Sequence, residues 1–535
     1  MGGSGSGKSA AYVIPNAYQL LGSYVFTDPK GELYDKSADY FRSKGYDVKI
    51  LNLVNPQNSD GYNPLIHIES EIDVDIIANT IVKGQNDIVT QVDPFWDDMA
   101  EMLLKALIYY LLATRPEEEQ SLSSCAELVR AANNSGSGNL LTELMNALPY
   151  DHPARMFYKS IEIAPEKTYS SILSSLQSKL GKFDSREIAE LTSTNTIDFP
   201  EIGKKKTVLY VISSDTHSAY DFLLTIFFSQ MIQRLYDSAD KNGGTLDLPT
   251  YFILDEFANI GKIPDFDKKI STSRSRKISF SVILQSLDQL EAVYEKSHET
   301  IIGNCDTTIF LGSNSQKTVE YYSKELGERT ISRDSWSVNK DKHMWKQGFQ
   351  KSDQVMARPL MTPDELRRLD SDLCIIFEKG LKPIKAKKYY YFEYKNTMDL
   401  ISRYHCSHND IPPIDRGVWR KYNPYNPYEE KNPEDEKETK IESLDDLFEE
   451  DLPKPEAEKV TAGAKISTTH TASFTPQNTP SSTSILPEFS SLDIDNDLKS
   501  EGSNDVFEAP PLPYDLQKEL ETKFDELFGA SDDEN

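Results

Sequence analysis

The sequence predicts an α/β protein with a mainly parallel central sheet, an all-α segment inserted between strands, and a disordered acidic C-terminal tail. Three observations carry this prediction. The chain opens on a glycine-rich loop of the kind that joins a strand to a helix. Short apolar runs then alternate with helical stripes, and from Pro424 the composition turns to Pro, Ser, Thr and acid. Strand–helix–strand alternation favours parallel strands with helices packed on their faces.

The loop comes first. Gly2 to Ser9 read GGSGSGKS and fit the phosphate-loop pattern G-x-x-x-x-G-K-[ST]. In such a loop Gly3, Ser4, Gly5, Ser6 and Gly7 turn backbone N–H groups inward around phosphates. Lys8 reaches the β- and γ-phosphates, and the Ser9 hydroxyl sits on Mg²⁺. Ser9-Ala-Ala-Tyr-Val supplies the following helix, whose N-terminal dipole favours anions. The buried strand expected in front has no counterpart, since only Met1 precedes the loop. A short Gly/Ser stretch behind a methionine is also what a flexible leader looks like, so a second signal is needed.

Ser23 to Asp28 then reads as a strand, Leu33 to Lys44 as a short helix and Asp47 to Leu53 as another strand. Asp28 and Lys30 fall at a strand's carboxyl end, where open α/β sheets bind ligands. A structural turn held by Pro29 and Gly31 is the competing reading. From about residue 87 the texture becomes helical. Met99, Met102, Leu103, Ala106, Leu107 and Tyr110 form one apolar stripe. Further helical patterns cover Leu122 to Ala132, Asn139 to Ala147 and Tyr169 to Leu180. Strands return at Thr207 to Ile212, Tyr251 to Leu254, Phe280 to Leu284, Thr307 to Leu311 and Leu373 to Phe377. The clearest helix among them is Tyr220 to Ala239, and the sheet is expected to close before Tyr394. The expected divisions are 1–86 and 191–395 for the nucleotide-binding domain, 87–190 for the helical insertion, 396–428 for a connecting segment and 429–535 for the tail.

The second signal is Tyr251-Phe252-Ile253-Leu254-Asp255-Glu256. Four apolar residues ending in two carboxylates read as a strand buried on both faces, with acids at its carboxyl edge. Beside a phosphate loop, Asp255 is placed to hold the Mg²⁺ shell, and Glu256 to orient and deprotonate an attacking water. Together the two signals point to ATP hydrolysis.

Charge and composition bound the rest. Residues 429–535 hold 29 acidic and 9 basic residues, a net of −20 out of −28, leaving −8 for the first 428. Bulk charge therefore gives no support for nucleic-acid binding, and any such contact needs a local basic lining. The tail has too few apolar residues to offset its ordering entropy. Two patterned islands, Ser443 to Phe448 and Tyr514 to Phe528, could fold into a partner's groove. Cys125, Cys305, Cys374 and Cys406 are scattered, which suits reduced thiols. His405-Cys406-x-His408 is half a metal site with no partner pair, so no zinc is expected there. No run reaches the roughly 18 apolar residues of a membrane span.

Several motifs occur in one order: Thr27-Asp-Pro-Lys-Gly-Glu-Leu33, Tyr62-Asn-Pro-Leu65, Asp93-Pro-Phe-Trp96, Asn195-Thr-Ile-Asp198, Leu254-Asp-Glu-Phe257, Leu284-Gln-Ser-Leu287 and Arg358-Pro-Leu-Met-Thr362. This set resembles the TraG-type coupling ATPases of conjugative type IV secretion systems, especially the forms on Gram-positive mobile elements. It covers about residues 1 to 395. The resemblance implies a RecA-like motor domain with an inserted all-α domain, assembled as a homo-hexamer at a type IV secretion channel. It further implies recruitment of a relaxase carrying covalently attached single-stranded DNA, delivered at the expense of ATP.

Residue by residue, the resemblance gives the loop Gly3 to Ser9 the phosphate role. Asp255 becomes the metal-shell acid, Glu256 the catalytic base, and Gln285 a γ-phosphate sensor or water-positioning amide. An arginine from a neighbouring subunit would offset charge in the transition state, with Arg274 and Arg276 as candidates. The same cluster could instead face a central channel or be a solvated helix face.

Coupling proteins of this type usually begin with transmembrane helices, which are absent from this sequence. A late-assigned start, a split gene or a soluble form would each account for that. The family expectation is the cytoplasmic face of the cell membrane, whereas this chain alone would be cytoplasmic or peripheral. With no strand to support its loop, it is expected to bind ATP weakly and assemble poorly. A hexameric duplex-DNA translocase of the chromosome-segregation type and a non-catalytic receptor or adaptor for secreted proteins are the competing functions.

Overall fold

The computed structural model describes residues 1–83, 93–132, 139–214, 220–339, 348–425 and 427, with the backbone alone for 333–339 and 348–354. Its centre is a five-stranded parallel sheet. The strands are β1 (Ser23–Thr27), β2 (Asp47–Asn52), β3 (Thr207–Ile212), β4 (Thr250–Leu254) and β5 (Ile278–Val282), in the order β2-β3-β1-β4-β5. Every residue of β1 and β3 is buried, as expected for parallel strands covered on both faces.

Alternate side chains serve two separate cores. Val25, Leu51, Leu209, Val211, Phe252 and Leu254 join the larger core beneath the helical insertion. Tyr24, Phe26, Ile50, Val208, Tyr210 and Ile253 join a second core on the opposite face.

Helices α1 (Ile14–Ala17) and α2 (Glu32–Ser43) cover that opposite face. The helix after the loop does form, but its first turn, Ser9–Val13, is wound as a π-helix. Pro15 lies just inside α1; it has no N–H to bond back to Ala11, and the wider turn accommodates that gap.

The helical insertion comprises α3 (Glu71–Lys83), α4 (Pro94–Thr114), α5 (Leu122–Ala132), α6 (Leu140–Asn146), α7 (Pro153–Glu162), α8 (Glu166–Leu180), α9 (Arg186–Ser193) and α10 (Phe199–Ile202). Asp93 caps α4 by accepting the Phe95 N–H at 3.1 Å. α4 is the hub, packed against α3, α5, α7 and α8. α3 lies before residue 87 in sequence, yet it packs on α4 and on α11 (Asp221–Lys241). The buried Arg234 of α11 donates 3.0 Å bonds to both carboxylate oxygens of Asp73 on α3, tying insertion to sheet.

The remaining strands depart from the single sheet expected. β6 (Thr307–Phe310), β9 (Leu373–Glu378) and β10 (Ile384–Lys387) form a second sheet, ordered β10-β9-β6. The sequence analysis also missed a two-stranded ribbon, β7 (Glu328–Asn339) with β8 (Gly348–Pro359). Its long polar stretches carry no apolar alternation to reveal it.

The first three residues bridge the two sheets. Gly2 N donates to Leu284 O beyond β5 at 2.9 Å. The Met1 ammonium donates to Ile309 O of β6 at 2.8 Å, and Leu311 N returns a 2.8 Å bond to Met1 O. Behind Met1, a cavity of about 750 Å³ separates β5 from β6, lined by Phe280, Val282, Thr307 and Ile309 among others.

Short helices α12 (Phe266–Thr272), α13 (Leu287–Val293), α14 (His298–Gly303), α15 (Gln316–Glu325) and α16 (Pro363–Arg367) fill the connections, and α17 (Lys395–Arg403) leads to the last described stretch. That stretch runs across both parts of the molecule. Cys406 N donates to Asp35 O, and His408 Nδ1 lies 2.9 Å from Asp35 Oδ1. Arg416 bonds Pro56 O and Glu190, and buried Tyr422 sits 3.2 Å from Tyr110 of α4. His408 and Cys406 are thus fastened to α2. The tail and its two patterned islands lie outside the described residues. Among the described residues no helix is long and apolar enough to cross a membrane.

Candidate nucleotide site

The loop, the acid pair and the glutamine meet at the carboxyl edge of the parallel sheet. They line one cavity of about 660 Å³ together with Thr27 to Lys30, Glu32 and Leu33. That volume lies in the range of small-molecule and cofactor sites. Gly5 and Gly7 have φ of +72° and +84°, a left-handed backbone that other residues resist. These turns let the loop fold back on itself above the helix that begins at Ser9.

Ser9 Oγ donates to Asp255 Oδ2 at 2.9 Å. A hydroxyl and a carboxylate this close are hard oxygen donors on one spot. Two protein oxygens suit Mg²⁺, which keeps several waters and takes its other ligands from phosphates. Burial raises the Asp255 carboxyl above its ordinary range, while the Ser9 hydrogen bond opposes that shift. A cation there would supply what the buried carboxylate lacks.

Glu256 follows the strand in a left-handed conformation, φ +52° and ψ +47°. For a residue with a Cβ this costs on the order of 1–3 kcal/mol and persists only when the surroundings enforce it. The surroundings are identifiable. Gln285 Nε2 donates to both Glu256 carboxylate oxygens at 2.9 Å, and Lys8 Nζ lies 3.5 Å from Oε1. Gln285 is itself held by a 3.0 Å bond from its N–H to Gln289 Oε1. The mainly buried Lys8 also donates to Gly2 O at 3.0 Å. Thr27 Oγ1 bonds Asp255 O at 2.7 Å and fixes the strand end.

Asp28 takes the structural role. Its carboxylate accepts the Tyr34 N–H at 2.8 Å in the first turn of α2, and burial pushes its pKa up to about 6.

Arg274 and Arg276 are not brought to this cavity. They precede β5, at the edge of the sheet opposite the loop. Arg276 is bound to Asp240 by bonds of 2.9 and 3.1 Å and lies over the Tyr236 ring. The Arg274 side chain is 91% exposed, with one 3.3 Å contact to Asp306.

Two residues beneath the loop escaped the sequence analysis. The Lys388 ammonium, almost wholly buried, donates 2.8 Å bonds to Ser6 O and to Leu311 O. The Tyr390 ring lies against Gly7, where a Cβ would approach its Cε1 to 2.8 Å. The run Lys387-Lys388-Tyr389-Tyr390-Tyr391 was the available signal, because cations and rings so dense beyond a final strand need partners.

Residues 1–412 match the family model described as type IV secretory system conjugative DNA transfer. Protein VirD4 of Rhizobium rhizogenes is 24% identical over 405 residues, 72% of this chain and 57% of that protein. Conjugal transfer protein TraG of Escherichia coli is 25% identical over 427 residues, 72% of this chain and 66% of that one. The chain thus spans a little over half the length of the VirD4 protein it matches. Among solved structures, the unbound conjugative coupling protein TrwBdeltaN70 superposes with a TM-score of 0.53 at 18% identity, covering 72% of this chain and 82% of that one. TrwB in complex with ADP and Mg²⁺ gives 0.52 at 19% identity, over 73% and 84%. The fold is therefore that of a RecA-like P-loop NTPase, and the chain belongs to the type IV secretory system conjugative DNA transfer family.

Proposed function

We propose that this protein is an ATP-hydrolysing coupling motor that passes relaxase-bound single-stranded DNA to a type IV secretion channel. One observation carries the proposal: Ser9 on Asp255, and Lys8 and Gln285 on Glu256, converge on one cavity behind a phosphate loop. The family and the nucleotide and Mg²⁺ named in the TrwB complexes support the same reading.

In this reading the N–H groups of Gly3 to Ser9 and the Lys8 ammonium bind the phosphates of ATP. Ser9 and Asp255 hold Mg²⁺, which when bound supplies positive charge against the phosphate oxygens. Glu256 accepts the proton of the attacking water, and Gln285 keeps its carboxylate aimed and reports the γ-phosphate. Lys8 must exchange its contacts with Gly2 O and Glu256 for phosphate oxygens, which leaves Glu256 free to act as a base.

The motor works as a homo-hexamer at the cytoplasmic face of the membrane. Between the two arginines, Arg274 is the better candidate to reach a neighbour's site, since Arg276 is committed to Asp240. The helical insertion is the candidate surface for relaxase. The discriminating experiment is ATPase activity of the purified chain with single-stranded and with duplex DNA. Stimulation by single strands alone supports coupling, and stimulation by duplex alone refutes it in favour of a duplex pump. Absence of hydrolysis in an assembled hexamer would refute the motor.

A further inference from the structure

Two sides of the phosphate loop differ in chemistry. On one side Asp255, Glu256, Gln285 and the Asp28–Lys30 turn line the cavity. Of these, Asp255, Glu256 and Gln285 suit a cation, a γ-phosphate and a water. On the other side lies an aromatic segment that none of those roles uses. The Tyr390 ring touches Gly7, and residues 391–393 pack against the Ser9–Val13 turn. Tyr390 and Phe392 stack face to face, with ring centroids 5.0 Å apart and planes 18° apart. Phe392 is nevertheless 52% exposed, an apolar ring presented to solvent at the rim of a polar loop.

A nucleoside triphosphate has a fixed order of parts. If its γ-phosphate faces Glu256 and Gln285, its nucleoside must leave the loop on the other flank, past Gly7 and the helix start. We propose that Tyr390 and Phe392 form the stacking platform for the nucleobase, a role that rests on the nucleotide reading above. Base–aromatic stacking contributes about 1–3 kcal/mol per base and tolerates every base, because each has a π-face. Tyr390 is fixed by its 3.0 Å bond to Ser371 O, and Lys388 two residues earlier is fixed to Ser6 O. The platform is thus held rigidly to the loop it serves. Stacking engages the face of a base and not its hydrogen-bonding edge, so discrimination between bases should be weak.

The test compares ATP, GTP, CTP and inorganic tripolyphosphate binding to the full chain and to Phe392→Ala, by calorimetry with Mg²⁺ present. The expected result is a 5- to 100-fold weakening of all three nucleotides in the variant, with tripolyphosphate affinity unchanged. Phe392→Trp should restore or exceed the original nucleotide affinity. Equal loss for tripolyphosphate would overturn the platform and make the ring a mere support of the loop. Unchanged nucleotide affinity would also overturn it. If the unaltered chain bound neither nucleotides nor tripolyphosphate, the phosphate-loop reading itself would fail, an outcome distinct from the other two.

Discussion

Lys388→Met removes the buried cation under the phosphate loop while keeping its apolar stem. The ammonium makes two 2.8 Å bonds to backbone carbonyls, Ser6 O within the loop and Leu311 O beyond β6. Hydrogen bonds to charged groups contribute about 1.5–3 kcal/mol each, and a buried acceptor left without a donor costs about 1–3 kcal/mol. Against this stands the desolvation of the ammonium, visible as a pKa pushed below the ordinary lysine range by burial. A net loss of about 2–4 kcal/mol in favour of a displaced loop follows. Because affinity scales with the fraction of loop in its binding geometry, this weakens ATP affinity by up to about 700-fold. Calorimetric titration with ATP and Mg²⁺ measures it, with Lys387→Met on the exposed neighbouring position as control. A thermal melt taken alongside separates loop displacement from global unfolding. If Lys388→Met bound ATP within threefold of the parent, the anchoring argument would be wrong.

Three further outcomes are expected. Gly5→Ala and Gly7→Ala both place a Cβ on a left-handed backbone, at about 1–2 kcal/mol. Only Gly7→Ala also meets Tyr390, whereas nothing lies within 4 Å of a Cβ at Gly5; tripolyphosphate titrations should rank the variants parent, Gly5→Ala, Gly7→Ala, and equal losses would refute the contact. Glu256→Gln should keep nucleotide affinity within a few-fold while lowering turnover by about 10²–10⁴, the range of a lost general base; phosphate release reads this, and turnover close to that of the parent would remove Glu256 from the mechanism. Asp28, raised from 3.8 to about 6 by burial, binds a proton in the native state more tightly than in the unfolded one. Stability from this group therefore falls as pH rises from about 4 to 6 and is flat outside that window, a change of ~3 kcal/mol. Asp28→Asn should flatten that slope in urea titrations across pH 4 to 7.5, and an unchanged slope would refute the assignment.

The parallel strands were legible in the sequence because burial on both faces demands continuous apolar runs, as in Thr207 to Ile212 and Tyr251 to Leu254. The helical insertion was legible through its stripe, and Asp255, Glu256 and Gln285 through their places at strand ends. Lys388 and Tyr390 were not, since their partners Ser6 and Gly7 lie more than 380 residues away and only folding brings them together. The division into two sheets was hidden for a related reason. Local patterning marks Thr307 to Phe310 as a strand but does not choose its neighbours, and its pairing with β9 depends on antiparallel return of a distant segment.

Sequence by itself determined the chemistry on offer: a phosphate loop whose glycines permit left-handed turns, two acids at a strand end, and a family set by ordered motifs. Those are local properties, fixed by residue type and spacing. Tertiary structure alone decided which groups act on one another. It put Glu256 in a strained conformation between Lys8 and Gln285, turned Arg274 outward while Arg276 was spent on Asp240, and laid an aromatic pair along the loop's far flank. Such choices depend on close packing of segments remote in the chain, where distances of a few ångströms separate a site from a surface.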